Sequence, residues 1–204
     1  MAGLIPAGVI CEIMNEDGTM ARMDDLVAFA QLHGIRMGTI RDLIAYRRRH
    51  DHLVERTADA PFTSVHGGEW RLLTYRNKID GGLSHVLQKG AVDPARPTLA
   101  RVHAVSLLSD LLGQPGPRAR ALQRSMEAIG AAGAGVIVLL PPGDAVADTG
   151  EPDMDLRAYG IGAQILADLG IHDMVLLTNA HRNIVGLDAY GINIVGEQPL
   201  PSGD

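Results

Sequence analysis

Four places along the chain combine residue types that could carry chemistry. The run Pro6-Ala7-Gly8-Val9-Ile10-Cys11-Glu12-Ile13 places one carboxylate, Glu12, in a β-branched stretch just ahead of Asp17-Gly18-Thr19-Met20-Ala21-Arg22. A carboxylate beside a substrate can move a proton. Arg101-Val102-His103 joins a guanidinium and an imidazole in one strand-like segment, Asp155 and Arg157 open an apolar-periodic stretch, and Thr178 ends the apolar run Met174-Val175-Leu176-Leu177. Each has a plain structural reading beside the chemical one. Asp155 reads as a helix cap with Arg157 on the first turn, and Arg101 and Thr178 read as strand ends. Metal chemistry is poorly provided for. A catalytic zinc needs three protein ligands and an open position, whereas the chain has one cysteine, and His50, His52 and His66 show no ligand spacing. The eight histidines read as core or surface residues.

The elements that must position these residues follow from pattern. Gly8 to Ile13 reads as a strand bounded by Pro6 and by the turn Asn15-Glu16-Asp17-Gly18. Asp24 and Asp25 open a helix with Leu26, Phe29, Ala30 and Leu32 at helical spacing, closed by Gly34. Thr39 is an N-cap for a further helix with Ile40, Leu43 and Ile44 on one face. This strand-helix-helix segment lacks a sheet, so residues 1–22 are expected to pack poorly or to pair with another chain. Residues 50–68 mix charge, Pro and Gly without period and read as a linker. Beyond it, Glu69 to Tyr75 alternates as a strand, Asp80-Gly81-Gly82 signals a hairpin, and Leu83 to Gln88 returns. Strands are also expected at Leu99 to Ser106, Gly135 to Leu140, Met174 to Thr178 and Ile192 to Val195, with helices at Arg118 to Ile129, Leu156 to Leu169 and Asn183 to Tyr190. The fold class is mixed α/β, divided into residues 1–50, a linker at 51–68 and a domain at 69–198.

Composition excludes several function classes. With 204 residues, 46% of them hydrophobic, the chain can bury a core. A net charge of −6 lacks the footprint of a nucleic-acid binder, and Arg47-Arg48-Arg49 reads as a helix C-terminus. No apolar stretch reaches the ~20 residues needed to cross a bilayer, and the N-terminus lacks the charged region of a signal peptide. A soluble cytoplasmic protein with no membrane or nucleic-acid partner is expected. Cys11, in its apolar run, reads as a buried inert thiol.

The run from Pro6 to Met23 resembles the last strand and turn of 3,4-dihydroxy-2-butanone 4-phosphate synthase, the lyase of riboflavin biosynthesis. Beyond residue 55, Arg101-Val102-His103, the stretch from Asp155 to Ile171 and the stretch from Leu176 to Val195 resemble GTP cyclohydrolase II, which many bacteria fuse behind the lyase. The order of the halves points to a fragment of a bifunctional riboflavin protein.

The resemblance implies that Glu12 stands at the glutamate essential for the lyase, with the rest of that site upstream. It implies Mg2+ or Mn2+ and ribulose 5-phosphate as that half's metal and substrate, only when the upstream half is present. In the cyclohydrolase it implies Asp155 as general base, Arg157 as nucleophile, and Arg101, His103 and Thr178 as nucleotide contacts. The family's three zinc cysteines, the second and third lying eleven and thirteen residues after the first, fall on Ser106, Pro117 and Ala119. None replaces a thiolate, so zinc is not expected. Leu140 reaches Asp155 in fifteen residues, without the family's longer substrate-binding segment. Thr178-Asn179-Ala180-His181-Arg182-Asn183 lacks the lysine that meets GTP, although Arg182 stands one position away. The expectation is a homodimer-forming, catalytically degenerate cyclohydrolase-like domain, its nucleotide residues vestigial and its GTP binding weak, supporting a lyase half. Alone, the chain is expected to be inactive in both reactions. The alternative is a nucleotide-binding regulatory or dimerisation module without catalysis.

Overall fold

The computed structural model describes residues 5, 7–40, 42–43, 46, 51–141, 156–179, 187 and 190–201, with the backbone alone for 156–159. The chain divides into two compact units, Met1–Tyr46 and Arg47–Asp204.

The first unit is built by local hydrogen bonds. Asp17 Oδ1 accepts from the Thr19 N–H at 2.9 Å and from its hydroxyl at 2.6 Å. The Asn15 N–H donates to the Thr19 carbonyl at 2.8 Å, and Met14 and Met20 close an isolated antiparallel bridge. Helix α1, Met23–His33, follows. Asp25 accepts from the Arg22 N–H at 2.9 Å, and Gly34, at φ 62°, lets the Ile35 N–H reach back to the Ala30 carbonyl. Thr39 caps as expected, its Oγ1 accepting from the Asp42 N–H at 3.0 Å while the Asp42 carboxylate accepts from that hydroxyl at 2.7 Å. Two expectations are corrected. Gly8 to Ile13 belongs to no ladder among the described residues; Val9 and Ile10 are 99% and 96% exposed. Cys11 is a free, exposed thiol, because among the described residues no strand pairs with its run.

The second unit is one seven-stranded sheet of order β1-β2-β3-β5-β4-β6-β7. Its strands are β1 (Val54–Ser64), β2 (Gly68–Asn77), β3 (Leu83–Lys89), β4 (Thr98–Ala104), β5 (Gly135–Leu140), β6 (Asp173–Leu177) and β7 (Asn193–Gln198), with helices α2 (Ala121–Ala132) and α3 (Leu156–Asp168). β1 corrects the linker reading of residues 51–68. It pairs antiparallel with β2 along its length, through one register shift between Arg56 and Ala58. Its residues are almost all exposed, as an outermost strand permits, and Pro61 is tolerated there. β2 and β3 form the expected hairpin, where the Asp80 carboxylate accepts from the Gly82 N–H at 2.8 Å and Gly81 takes φ 75°. β3 meets β5 antiparallel, and β5, β4, β6 and β7 run parallel. The helix expected at Asn183 to Tyr190 lies largely outside the described residues.

Two apolar cores cover opposite faces of the sheet. α3 supplies Ile165 and Leu166 to the face carrying Leu73, Tyr75, Val138 and Met174. α2 supplies Met126 and Ile129 to the face carrying Trp70, Leu87, Ile137 and Leu177. The alternation of the strands creates this division, since successive side chains point to opposite faces. Close backbone approach seats α2: a Cβ on Gly130 would stand 2.5 Å from Gly67 Cα. The path from β4 through α2 to β5 moves one way across the sheet, and the path from β5 through α3 to β6 moves the other, so the direction reverses between β4 and β6. In open α/β sheets, ligands bind at the carboxyl ends of strands beside such a reversal.

Candidate functional site at the ends of β4 and β6

Arg101 and His103 lie two apart on β4 and so share a face. The Arg101 guanidinium donates through Nη1 to the Leu177 carbonyl at 3.0 Å, tying β4 to the end of β6 where the sheet order reverses. Its Nε lies 3.4 Å from His103 Nδ1. The other ring nitrogen, Nε2, meets Asp110 Oδ2 at 2.8 Å. The tautomer carrying its hydrogen on Nε2 satisfies both contacts, donating to the carboxylate and accepting from the guanidinium. This histidine and aspartate are buried, their side chains 2% and 6% exposed.

Asp110 arrives on a single turn of π-helix, Leu107–Leu111, which Ser106 caps by accepting from the Ser109 N–H at 3.2 Å. Asp110 Oδ2 also accepts from the Ser106 N–H at 2.8 Å. Burial pushes the Asp110 carboxyl up, but the bonds from His103 and the Ser106 N–H and the nearby charge of Arg118 outweigh it and hold the group below the usual carboxylate range. Two further guanidiniums approach from the other end of this loop. Arg118 donates to the Ala104 carbonyl at 2.7 Å, and Arg124, on the first turn of α2, donates to the Ala119 carbonyl at 2.9 Å. Arg120 between them takes the left-handed conformation at φ 55°. Burial first, then the charges of Arg118 and Arg124, depress Arg101 to about 10.

The structure thus groups Arg101 and His103 with Asp110, Arg118 and Arg124. Thr178 follows β6 directly, its N–H donating to the Gln198 carbonyl at 2.9 Å. Arg101 lies within β4 and does not end it. Glu12 is exposed in the first unit. Asp155 lies outside the described residues, as does the Arg157 side chain. Sequence reading missed Asp110, Arg118 and Arg124. Only Arg118 carried a signal, standing between two positions named for zinc.

Those positions do not fit a zinc ion. The Ser106 hydroxyl serves as a helix cap, and Pro117 and Ala119 offer no side-chain donor. Both nitrogens of the neighbouring His103 face protein partners. Among the described residues no three His, Cys, Asp or Glu side chains form a group able to hold a metal. No described helix is long and apolar enough to cross a membrane.

Comparison with known proteins places this arrangement. Residues 55–147 and 143–199 match the GTP cyclohydrolase II family, and residues 1–46 match the 3,4-dihydroxy-2-butanone 4-phosphate synthase family. The riboflavin biosynthesis protein RibBA of Aquifex aeolicus is 39% identical over 98% of this chain and 55% of its own length. The 3,4-dihydroxy-2-butanone 4-phosphate synthase of Pseudomonas aeruginosa is 42% identical over 89% of this chain and 53% of its own. The crystal structure of RibBX, a two-domain 3,4-dihydroxy-2-butanone 4-phosphate synthase from A. baumannii, superposes with a TM-score of 0.55 at 33% identity, covering 95% of this chain and 53% of that one. The chain spans about half the length of these relatives. It belongs to the riboflavin biosynthesis proteins that join 3,4-dihydroxy-2-butanone 4-phosphate synthase to a GTP cyclohydrolase II domain.

Proposed function

We propose that this chain serves the synthase reaction, the conversion of ribulose 5-phosphate to 3,4-dihydroxy-2-butanone 4-phosphate and formate, and that its cyclohydrolase-like domain supports that reaction without performing its own. The observation that carries the reading is the donor set at the ends of β4 and β6: Ser106, Pro117 and Ala119 supply no thiolate, and the chain's one cysteine, Cys11, belongs to the other unit. Two relatives similar along most of this chain carry the synthase name alone. Glu12 is the residue this chain brings to the lyase site, where its carboxylate moves protons on the sugar phosphate; Mg2+ or Mn2+, if bound by the remainder of that site, would polarise the substrate oxygens. Asp155, Arg157, Arg101, His103 and Thr178 remain from a nucleotide site whose reaction needed the metal. The domain acts in the cytoplasm by stabilising, regulating or pairing synthase chains as a homodimer.

The test joins two assays. Purified chain should contain no stoichiometric zinc and release no formate from GTP; one zinc per chain with GTP-dependent formate would sink the proposal. Supplying the upstream synthase half, fused or as a separate polypeptide, should give synthase turnover that Glu12→Gln abolishes without unfolding the protein. Full turnover by the Gln variant would remove Glu12 from the reaction.

A further inference from the structure

We propose that Thr19, gripped between Asp17 and Asn15, is a positioning residue for Glu12 in the synthase reaction: its hydroxyl fixes the short hairpin that carries Glu12. The inference rests on the reading above that Glu12 serves that reaction. Its first ground is where Glu12 sits. The Met14–Met20 bridge is followed by a bond from the Ala21 N–H to the Ile13 carbonyl at 2.9 Å, and the described ladder reaches no further than Ile13. Glu12 therefore stands one residue past the last described rung. Peptide units are rigid, so only the backbone torsions of Ile13 separate that rung from the peptide of Glu12. Whatever holds the hairpin still thus sets where the carboxylate can meet a substrate, and small misplacements of a reacting group are costly.

The second ground is a side-chain relay that closes this hairpin. The Thr19 hydroxyl donates to Asp17 Oδ1 at 2.6 Å and accepts from Asn15 Nδ2 at 3.2 Å, which uses the hydroxyl in both of its roles. Asp17 Oδ1 also accepts from the Thr19 N–H at 2.9 Å. These two bonds from Thr19 hold the Asp17 carboxyl below its ordinary 3.8, so it stays an anionic acceptor. Asn15 Nδ2 donates further to Asp25 Oδ2 at 3.3 Å, the same oxygen that takes the Arg22 N–H at 2.9 Å where α1 begins. The relay from Asp17 through Thr19 and Asn15 to Asp25 thus ties the turn, both sides of the hairpin and the helix together. The third ground is exposure. These bonds lie against solvent, where water competes for both partners and each adds little net stability. A relay that stabilises little while fixing geometry suits a task of orientation.

The test uses the full chain with its upstream synthase half supplied and ribulose 5-phosphate as substrate. Thr19→Val, similar in size but without the hydroxyl, should lower kcat by about 10–100-fold with KM within about twofold of wild type, the mark of a misplaced reacting group. Thr19→Ser returns the hydroxyl and should keep kcat within about threefold of wild type. Asn15→Asp, which sets a second carboxylate against that of Asp25, should match Thr19→Val. Each variant should melt within about 2 °C of wild type, since exposed substitutions move stability little. The chain alone gives a second readout that needs no turnover: exchange of the Ala21 N–H should be at least about fivefold faster in Thr19→Val and unchanged in Thr19→Ser. Wild-type kcat in Thr19→Val, a loss confined to KM, or an equal loss in Thr19→Ser overturns the proposal. So does Ala21 exchange that is the same in Thr19→Val and wild type. The two readings fail separately. Full turnover by Glu12→Gln, or no turnover by the reconstituted wild type, refutes the function proposed above and this role with it. An inactive Glu12→Gln beside a fully active Thr19→Val refutes the positioning role alone.

Discussion

Replacing Asp110 with Ala tests whether the buried histidine-aspartate pair holds the loop between β4 and α2. The carboxylate accepts from two groups, His103 Nε2 at 2.8 Å and the Ser106 N–H at 2.8 Å, and the substitution strands both in a buried place. Each stranded donor costs about 1–3 kcal/mol, and breaking a buried pair by removing one partner costs about 3–5 kcal/mol. The two estimates agree on a loss of about 4 kcal/mol, which for a domain of this size lowers Tm by about 8–16 °C. Asp110→Asn keeps an acceptor for the Ser106 N–H and should lose less than half as much. The pH dependence has a defined sign. The Asp110 carboxyl lies lower in the folded chain than its ordinary 3.8, so between those two values the unfolded chain binds more protons and stability rises with pH. Its contribution is therefore complete above about pH 5 and disappears as pH falls through the folded value. Urea midpoints from pH 6 down to pH 2 should show this component in the wild type and not in Asp110→Asn. An Asp110→Ala variant within about 1 kcal/mol of wild type would refute the reasoning, because one stranded buried donor alone should exceed that.

Other positions give independent expectations. Gly130→Ala should destabilise by about 1–3 kcal/mol in denaturant titration, because its Cβ would stand 2.5 Å from Gly67 Cα, a backbone atom that cannot turn aside. Arg120→Gly should stabilise by about 1 kcal/mol in the same titration, since glycine adopts φ 55° without the penalty of a Cβ. Cys11, exposed in the native chain, should react with a thiol reagent in native buffer as fast as in denaturant; protection of tenfold or more would mean that the first unit buries it. Removing residues 1–46 should leave a cooperatively unfolding domain that self-associates less, measured by light scattering, because Val9 and Ile10 leave with the deletion.

The legible parts of the fold were those in which burial wrote itself into the residue pattern. β2 sends Leu73 and Tyr75 into one core and Trp70 and Leu72 into the other, and β5 is apolar throughout because both of its faces are covered. β1 carried no such pattern. An outermost strand held by β2's hydrogen bonds leaves most side chains exposed, so Glu55, Arg56, Thr57, Asp59 and Thr63 resemble a connector. The reverse failure occurred at Gly8 to Ile13, where β-branched residues promised a strand but no ladder forms among the described residues. At the site, Arg101 and His103 were visible because they lie on a regular strand. Asp110, Arg118 and Arg124 were not, because a π-turn and a left-handed arginine bring them together, and neither repeats with a period that sequence reading can detect.

That same contrast separates the apolar cores from the site. Neither apolar core contains Arg101, His103, Ser106, Pro117 or Ala119, so substitution at these positions leaves the main source of stability untouched. The segment after β4 must be fastened to the segment before α2. Here that task falls to side chains: Asp110 joins His103 on β4 to the turn after it, Arg118 returns to Ala104, and Arg124 holds Ala119. Each link is a hydrogen bond worth about 1.5–3 kcal/mol when a charged group takes part, and together they hold the loop in place. The fastening of this loop therefore rests on hydrogen bonds made by the chain's own side chains.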